Sequence, residues 1–383
     1  MKGRSVIVVT LILLCMSLSL AIGAKSQAEI VFHGTIVYSQ SLPRLYVEEN
    51  IIRSDFGPFF MLGCNVRGRA YNPINDGRYD DWYTDRVLDS ENIRSFGFNT
   101  IRLVTYWESV ETSTTPSEFV YNDTYIDLLR QTVEAYNQKG IYVIIDLHEH
   151  GSMNELAKFI PTAGKDTDFA DAFYSDVSNT SAREHLSQLW LSLSQTFRNY
   201  SGVAGYDICN EPHRKSGALS NQQVADLWFD IADYVIASLR ASGDNHIVFV
   251  NFSPGARNTS YMSRRLNDDN VVYCPHFYQG IEETYLTVRY NDYSQLQTDF
   301  ENDVNARMLQ FSTPFIMEEQ GFGSNVITIG DARDLWLKNA ITIHRSNPLM
   351  QGWLYWCYVA YNGAVEGGGW QTTLIELFGD KPI

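Results

Sequence analysis

Two hydrophobic periods alternate along the 383-residue chain. Eight short, nearly continuous apolar runs recur at intervals of a few tens of residues: FFMLGCN, NTIRLV, IYVIIDLH, GVAGYDICNEP, HIVFVNF, NVVYCPHFY, PFIMEEQG and GWLYWCY. Runs of this length, rich in β-branched and aromatic residues and bounded by Gly, Pro or Asn, predict strands buried on both faces. Between them the period lengthens to that of a helix. Residues 123–139 place Ile126, Leu129, Val133 and Tyr136 on one face and stop at Gly140. Residues 181–199 open with Ser181 and Glu184 as a capping box, then present Leu186, Leu189, Trp190, Leu193 and Phe197. Residues 220–242 open with Ser220 and Gln223, present Val224, Leu227, Ile231 and Val235, and end at Gly243.

Strand–helix alternation predicts a parallel sheet covered by helices, and eight strands close a TIM (β/α)8 barrel, so the fold class is α/β. Ahead of the first run, EIVFHGTIVY and LYVEENIIRSDFGPFFML predict a short N-terminal β-hairpin. No repeat, low-complexity segment or linker interrupts the pattern, so residues 25–383 read as one domain. The long insertions at 67–85, 149–179 and 358–370 all follow strand ends, the face on which barrels build their sites.

Residues 1–24 carry Lys2 and Arg4, then an apolar stretch, then small residues, the layout of a secretory signal peptide. Its apolar part is short for a membrane anchor. The expected location is therefore extracellular, without stable membrane association. The chain has a formal charge of −16, and losing Lys2 and Arg4 makes the remainder more acidic still. That balance argues against nucleic acid and anionic lipid as partners. Sequons at Asn122, Asn179, Asn199, Asn251 and Asn258 fit a secreted glycoprotein, with Asn251 at a predicted strand end and so expected to be buried. Cys64, Cys209, Cys274 and Cys357 lie in apolar runs and read as core residues, a Cys64–Cys357 disulfide being the less favoured alternative.

The chemistry concentrates where two runs end. YDICNEP delivers Asn210 and Glu211 and is stopped by Pro212; PFIMEEQG delivers Glu318 and Glu319. Carboxylates on separate strand ends suggest glycoside chemistry. Glu108 beside Trp107 reads as a cleft or rim residue. The triplet His148-Glu149-His150 invites a metal reading, but it lacks a third nearby ligand and a zinc-type spacing, so no metal is expected. No phosphate loop or dinucleotide fingerprint follows any strand, so neither a nucleotide nor another cofactor is expected.

Taken in order, GFNTIRLV, YVIIDLHEH, YDICNEP, VVYCPHFY, PFIMEEQG and GWLYWCY resemble the successive strand-end motifs of glycoside hydrolase family 5, the cellulase and mannanase family of retaining β-glycosidases. The resemblance runs from about residue 47 to about residue 370. It implies a TIM barrel with the acid/base at the end of the fourth strand, here Glu211, and the nucleophile at the end of the seventh. The family pattern sets the nucleophile two residues before the Gly, which selects Glu319 over Glu318. Glu318 and Gln320 depart from the residues usual at those positions. The resemblance further implies that Arg102 holds Glu319 ionised and that Asn210 bonds the sugar 2-hydroxyl. His148, His276 and Tyr278 would line the reacting subsite and Trp356 would be its stacking floor. The expected protein is a secreted, monomeric retaining endo-β-glycosidase of β-linked glucan or mannan. The competing readings are an endoglycoceramidase-like glycolipid hydrolase and a non-catalytic carbohydrate-binding barrel.

Overall fold

A computed structural model of the chain describes residues 42–66, 90–148, 171–212, 217–256, 259–277, 293–320 and 330–358. Three short antiparallel strands come first: β1 (Tyr46–Glu48), β2 (Ile51–Ser54) and β3 (Gly57–Pro58). The predicted hairpin is thus a three-stranded meander, and EIVFHGTIVY lies outside the described residues.

Eight parallel strands then close a barrel: β4 (Met61–Val66), β5 (Thr100–Thr105), β6 (Tyr142–Leu147), β7 (Val203–Asp207), β8 (Ile247–Asn251), β9 (Val271–Cys274), β10 (Phe315–Met317) and β11 (Met350–Tyr358). Closure comes from β11 pairing with β4, Gly352 opposite Met61. The predicted runs map one to one onto these strands. β4 to β10 are buried on both faces, and β11 is buried from Met350 to Tyr355, because helices cover the outside and side chains fill the inside. A Cβ at Gly63 would collide with the Thr100 carbonyl oxygen, so only glycine lets β4 and β5 approach there.

The helices are α1 (Trp107–Val110), α2 (Asp123–Asn137), α3 (Asp171–Ser175), α4 (Ala182–Phe197), α5 (Asn221–Ala241), α6 (Tyr293–Phe300), α7 (Ala306–Phe311) and α8 (Gly330–Arg345). On α2 and α4 the predicted apolar faces are the buried ones; on α5, Leu227 is only half-buried and Trp228 takes the deeper position. Ser220 and Gln223 form a complete capping box on α5. On α4 only half of the predicted box forms. Ser181 Oγ accepts from the Glu184 amide, but the Glu184 carboxylate accepts instead from Tyr234 and Gln188. No helix among the described residues is long and apolar enough to cross a membrane.

The apolar residues form two nested cores. The outer one lies between helices and barrel; the inner one contains Met61, Ile144, Ile247, Phe249, Ile316 and Leu354, with Leu45 and Ile52 of the N-terminal segment packed against it. Gln351 Oε1 accepts from the Ile52 amide, and the Pro43 carbonyl accepts from the Tyr142 hydroxyl, fixing that segment to the barrel. Cys64, Cys209 and Cys274 are buried in the core. The Cys357 side chain lies outside the described residues, so the alternative disulfide falls there too.

Candidate active site

Strand alternation explains what sits at the carboxyl end of the barrel. Residues two apart point to the same face, so the inward series Met61, Gly63, Asn65 on β4 and Thr100, Arg102 on β5 continues upward from the apolar core. By the same step β6 contributes Asp146 above Ile144, β8 contributes Asn251 above Phe249, and β10 leads from Ile316 to Glu318. A charged layer therefore lies directly on the inner apolar core, and burial gives each of its members a strong need for a partner.

Arg102 is the hub of that layer. It is fully buried, and its three nitrogens reach five residues. Nε and Nη2 donate to Asp207 Oδ2 at 3.0 and 2.5 Å. Nη2 also donates to Asp146 Oδ1 and Asn210 Oδ1, both at 2.8 Å. Nη1 donates to Asn65 Oδ1 at 3.0 Å and to Glu319 Oε1 at 2.6 Å. Glu318 Oε1 stands 3.2 Å from Nε. One guanidinium thus faces four carboxylates, and despite burial their charges raise its pKa still further. The acids share the shortage of positive charge. Burial pushes Asp146 well up and Asp207 to about 7, and the two carboxyls hydrogen-bond each other. Burial would also raise Glu318, but Arg102 and His276 outweigh it and bring this acid down.

Above the hub sit the strand-end residues. The Asn210 amide donates to Leu147 O, and Glu211 follows with φ +42°, a left-handed conformation that costs a non-glycine residue about a kcal/mol or more. The ends of β9, β10 and β11 are laced together. His276 pairs with Glu319, the Phe277 amide donates to Glu319 O, and the Trp356 amide donates to Gln320 O. This brings Glu211, His276 and Glu319 together, with one carboxylate oxygen or ring nitrogen from each within 4.8 Å of the others. His276 Nδ1 is 2.7 Å from Glu211 Oε1 and 3.6 Å from Glu319 Oε2. Burial would lower the His276 pKa, but Glu319, Glu211 and Glu318 raise it to about 10. These three polar atoms are aimed at one another as a hydrogen-bonded group, and Arg102 already takes Glu319 Oε1, so we do not assign the trio as metal ligands.

Of the two candidate glutamates, Glu319 lies in this group, with its side chain 6 % exposed, while Glu318 is sealed in the barrel, where Oε2 accepts from Asn251 Nδ2 at 3.1 Å. His148 Nδ1 and Asp146 Oδ2 share a hydrogen bond at 2.8 Å, and the His148 ring stacks on Trp356 at 5.0 Å between centroids. Arg102, Asn210, Glu211, His276, Glu319, His148 and Trp356 therefore converge on one face. Tyr278, Glu149 and His150 lie outside the described residues. Glu108 is half-buried on α1. Sequence reading missed Asn65, Asp146, Asp207 and Asn251. The available signal was a polar residue at an inward position of an otherwise apolar strand.

Residues 66–362 match the profile of the family Cellulase (glycosyl hydrolase family 5). A probable glucan endo-1,6-beta-glucosidase B of Aspergillus flavus is 31 % identical over 163 residues, covering 42 % of this chain and 38 % of that protein. The first curated relatives are matched over only 32 to 53 % of their own length. Among solved structures, an endogalactoceramidase superposes with a TM-score of 0.62 at 21 % identity, covering 88 % of this chain and 79 % of that one. A hyperthermophilic endocellulase from the archaeon Pyrococcus horikoshii gives 0.62 at 18 % identity, over 88 % of this chain and 100 % of that one. At such identities these structures speak for the fold alone. The profile match covers most of the chain, and with it the chain belongs to glycosyl hydrolase family 5.

Proposed function

We propose that this chain is a secreted retaining β-glycosidase that hydrolyses a β-linked glucan or mannan by double displacement, with Glu319 as nucleophile and Glu211 as acid/base. The observation that carries the reading is the closeness of Glu211 and Glu319, oxygens of which lie within 4.8 Å. Retaining enzymes hold their carboxyls roughly 5–5.5 Å apart, whereas inverting enzymes need a gap wide enough for a water. Glu319, whose Oε1 accepts from Arg102 Nη1, attacks the anomeric carbon. Glu211, the more exposed of the two at 24 %, protonates the departing oxygen and later takes a proton from water. Asn210, held by Arg102, is placed to bond the sugar 2-hydroxyl, and Trp356 with His148 offers a flat aromatic surface to a sugar ring.

Azide separates the two roles. With an activated aryl β-glycoside, Glu319→Ala is inactive until azide restores turnover as the α-glycosyl azide, and Glu211→Ala yields the β-glycosyl azide. The α product from Glu318→Ala instead would reassign the nucleophile. The β-glucan reading leans on the relative named as a glucan endo-1,6-beta-glucosidase. A product screen over β-glucans, mannan and glucosylceramide decides the substrate and tests the glycolipid alternative. Binding without release of any product would establish the non-catalytic reading.

A further inference from the structure

The connection between β5 and α2 contains a hairpin to which double displacement gives no task. Glu111 pairs with Tyr121, and the Thr112 amide donates to the Val120 carbonyl at 2.8 Å. The hairpin follows the end of a barrel strand, so it stands on the face that carries Glu211 and Glu319. Tyr106, just ahead of it, lies edge-on to the His148 ring at 6.3 Å between centroids, and His148 in turn stacks on Trp356. The root of the hairpin thus adjoins the site. Its tip presents an apolar ring to water, for Phe119 is 37 % exposed.

Buried groups hold that ring in place. Phe119 stacks on His185 at 4.5 Å between centroids and 25° between planes. His185 is fully buried on α4, and both of its nitrogens are held: Nδ1 shares a hydrogen bond with Glu111 Oε1 at 2.6 Å, and Nε2 donates to the Pro116 carbonyl at 2.9 Å. Glu111 is buried as well and accepts from Ser113 Oγ and Trp107 Nε1, both at 2.7 Å. Nearer the tip, Glu118 Oε2 accepts from the Thr114 amide and hydroxyl, and Ser113 Oγ accepts from the Val120 amide. One face of Phe119 is therefore covered by an anchored imidazole, and its exposed area belongs to the other. A ring fixed in this way before binding gives up little freedom when a flat apolar surface meets it. Thr112, Thr114, Thr115 and Ser117 of the same hairpin are exposed and bear hydroxyls, and residues 111–121 contain no Lys or Arg to draw an anionic bilayer.

We propose that Phe119 is the stacking platform of a distal subsite, taking a neutral pyranose of the substrate chain several rings away from the bond that is cut. The inference rests on the reading of this chain as a hydrolase of a β-linked polysaccharide, and it gives that hydrolase a preference for long substrates. A pyranose has the matching surface: its C–H groups form an apolar face for the phenyl ring, and its hydroxyls lie around the rim, where hydroxyl-bearing side chains suit them. Phe119 touches no reacting atom. Its contact adds binding energy from a remote part of the substrate and leaves the bond-breaking to Glu211 and Glu319.

Two measurements with β-linked gluco- and manno-oligosaccharides test the proposal. Phe119→Leu keeps an apolar cover on His185 and removes the flat face. In a Glu319→Ala background, where the substrate stays uncut, it should raise the Kd of a bound hexasaccharide about three- to tenfold in calorimetry, the loss of one aromatic contact. In the active enzyme it should raise KM increasingly as the substrate lengthens from two rings to six, and Phe119→Trp should restore the wild-type dependence on length. An equal loss at two and six rings would mean that the ring acts only through the fold of the hairpin. That result overturns the proposal, as does an unaltered Kd or a wild-type protein that binds neither hexasaccharide. Phe119→Leu that loses cosedimentation with phosphatidylcholine vesicles but keeps its hexasaccharide affinity would make the ring a membrane contact and overturn it too. Failure of the underlying reading looks different: Glu319→Ala would still hydrolyse, or the wild type would cleave none of the oligosaccharides, while the effect of Phe119→Leu on Kd remained.

Discussion

Arg102 Nη1 and Glu319 Oε1 meet at 2.6 Å, joining the second strand of the barrel to the end of the seventh. The same guanidinium serves Asp146, Asp207 and Glu318, so the electrostatics of the site and the stability of the barrel depend on one side chain. Removing the cation from a buried group of this kind leaves uncompensated charge, typically at a cost of about 3–5 kcal/mol. Arg102→Met should lower the unfolding free energy by about that amount in a urea titration and abolish turnover. Arg102→Lys should fall between the two, because an ammonium keeps the charge but lacks the planar fork that reaches five residues. Equal stability of wild type and Arg102→Met would mean that the acids are neutral in the folded protein.

His344 on α8 gives a pH dependence with a definite sign. Its ring is buried against Phe277 and Phe300, neither nitrogen has a hydrogen-bond partner among the described residues, and burial pushes its pKa down to about 3. The unfolded chain therefore binds a proton that the folded chain refuses between about pH 6.5 and 3. This residue alone should lower stability on acidification by about 1.4 kcal/mol per pH unit within that window. His344→Leu removes the contribution. Wild type should lose stability relative to the variant in urea unfolding as pH drops from 7 to 4, and parallel curves would refute the assignment.

Gln320 presents the opposite opportunity. It is fully buried, and both polar atoms of its amide lack partners among the described residues. An unsatisfied buried amide costs about 1–3 kcal/mol, so Gln320→Met, which keeps the volume and removes the polarity, should stabilise the protein by an amount in that range. Calorimetry reads this as a higher unfolding midpoint. A lower midpoint would show that the amide has a partner in the folded protein.

The sequons divide by burial. Asn179 and Asn199 are exposed. Asn122 is half-buried and caps α2 by accepting from the Tyr125 amide. Asn251 is fully buried, with Nδ2 donating to Asp207 and Glu318. Glycopeptide mapping of protein secreted from a eukaryotic host should find Asn179 and Asn199 occupied and Asn251 bare. Asn258 lies outside the described residues. A glycan on Asn251 would require the β8 end to be open when the transferase acts and would contradict the packing.

Much of the barrel was legible in the chain because strands buried on both faces must be apolar throughout and helices on their outside must be apolar on one face. Those periods placed all eight barrel strands, and the ends of α2, α4 and α5 to within two or three residues. The resemblance of the strand-end motifs to glycoside hydrolase family 5 pointed to Glu211, Glu319, Arg102, Asn210, His148, His276 and Trp356, and the closed barrel brings these residues to one end. Local pattern could not decide how Glu184 would spend its carboxylate, since Tyr234 reaches it from another helix. Nor could it separate the tasks of Glu318 and Glu319. Neighbours in sequence, they part only when the barrel closes: one points inward to Asn251 and the buried side of His276, the other stands beside Glu211. Which acid meets water and which meets only the interior is a property of the closed sheet, because burial and charge partners come from six strands at once, and no single stretch of sequence contains them.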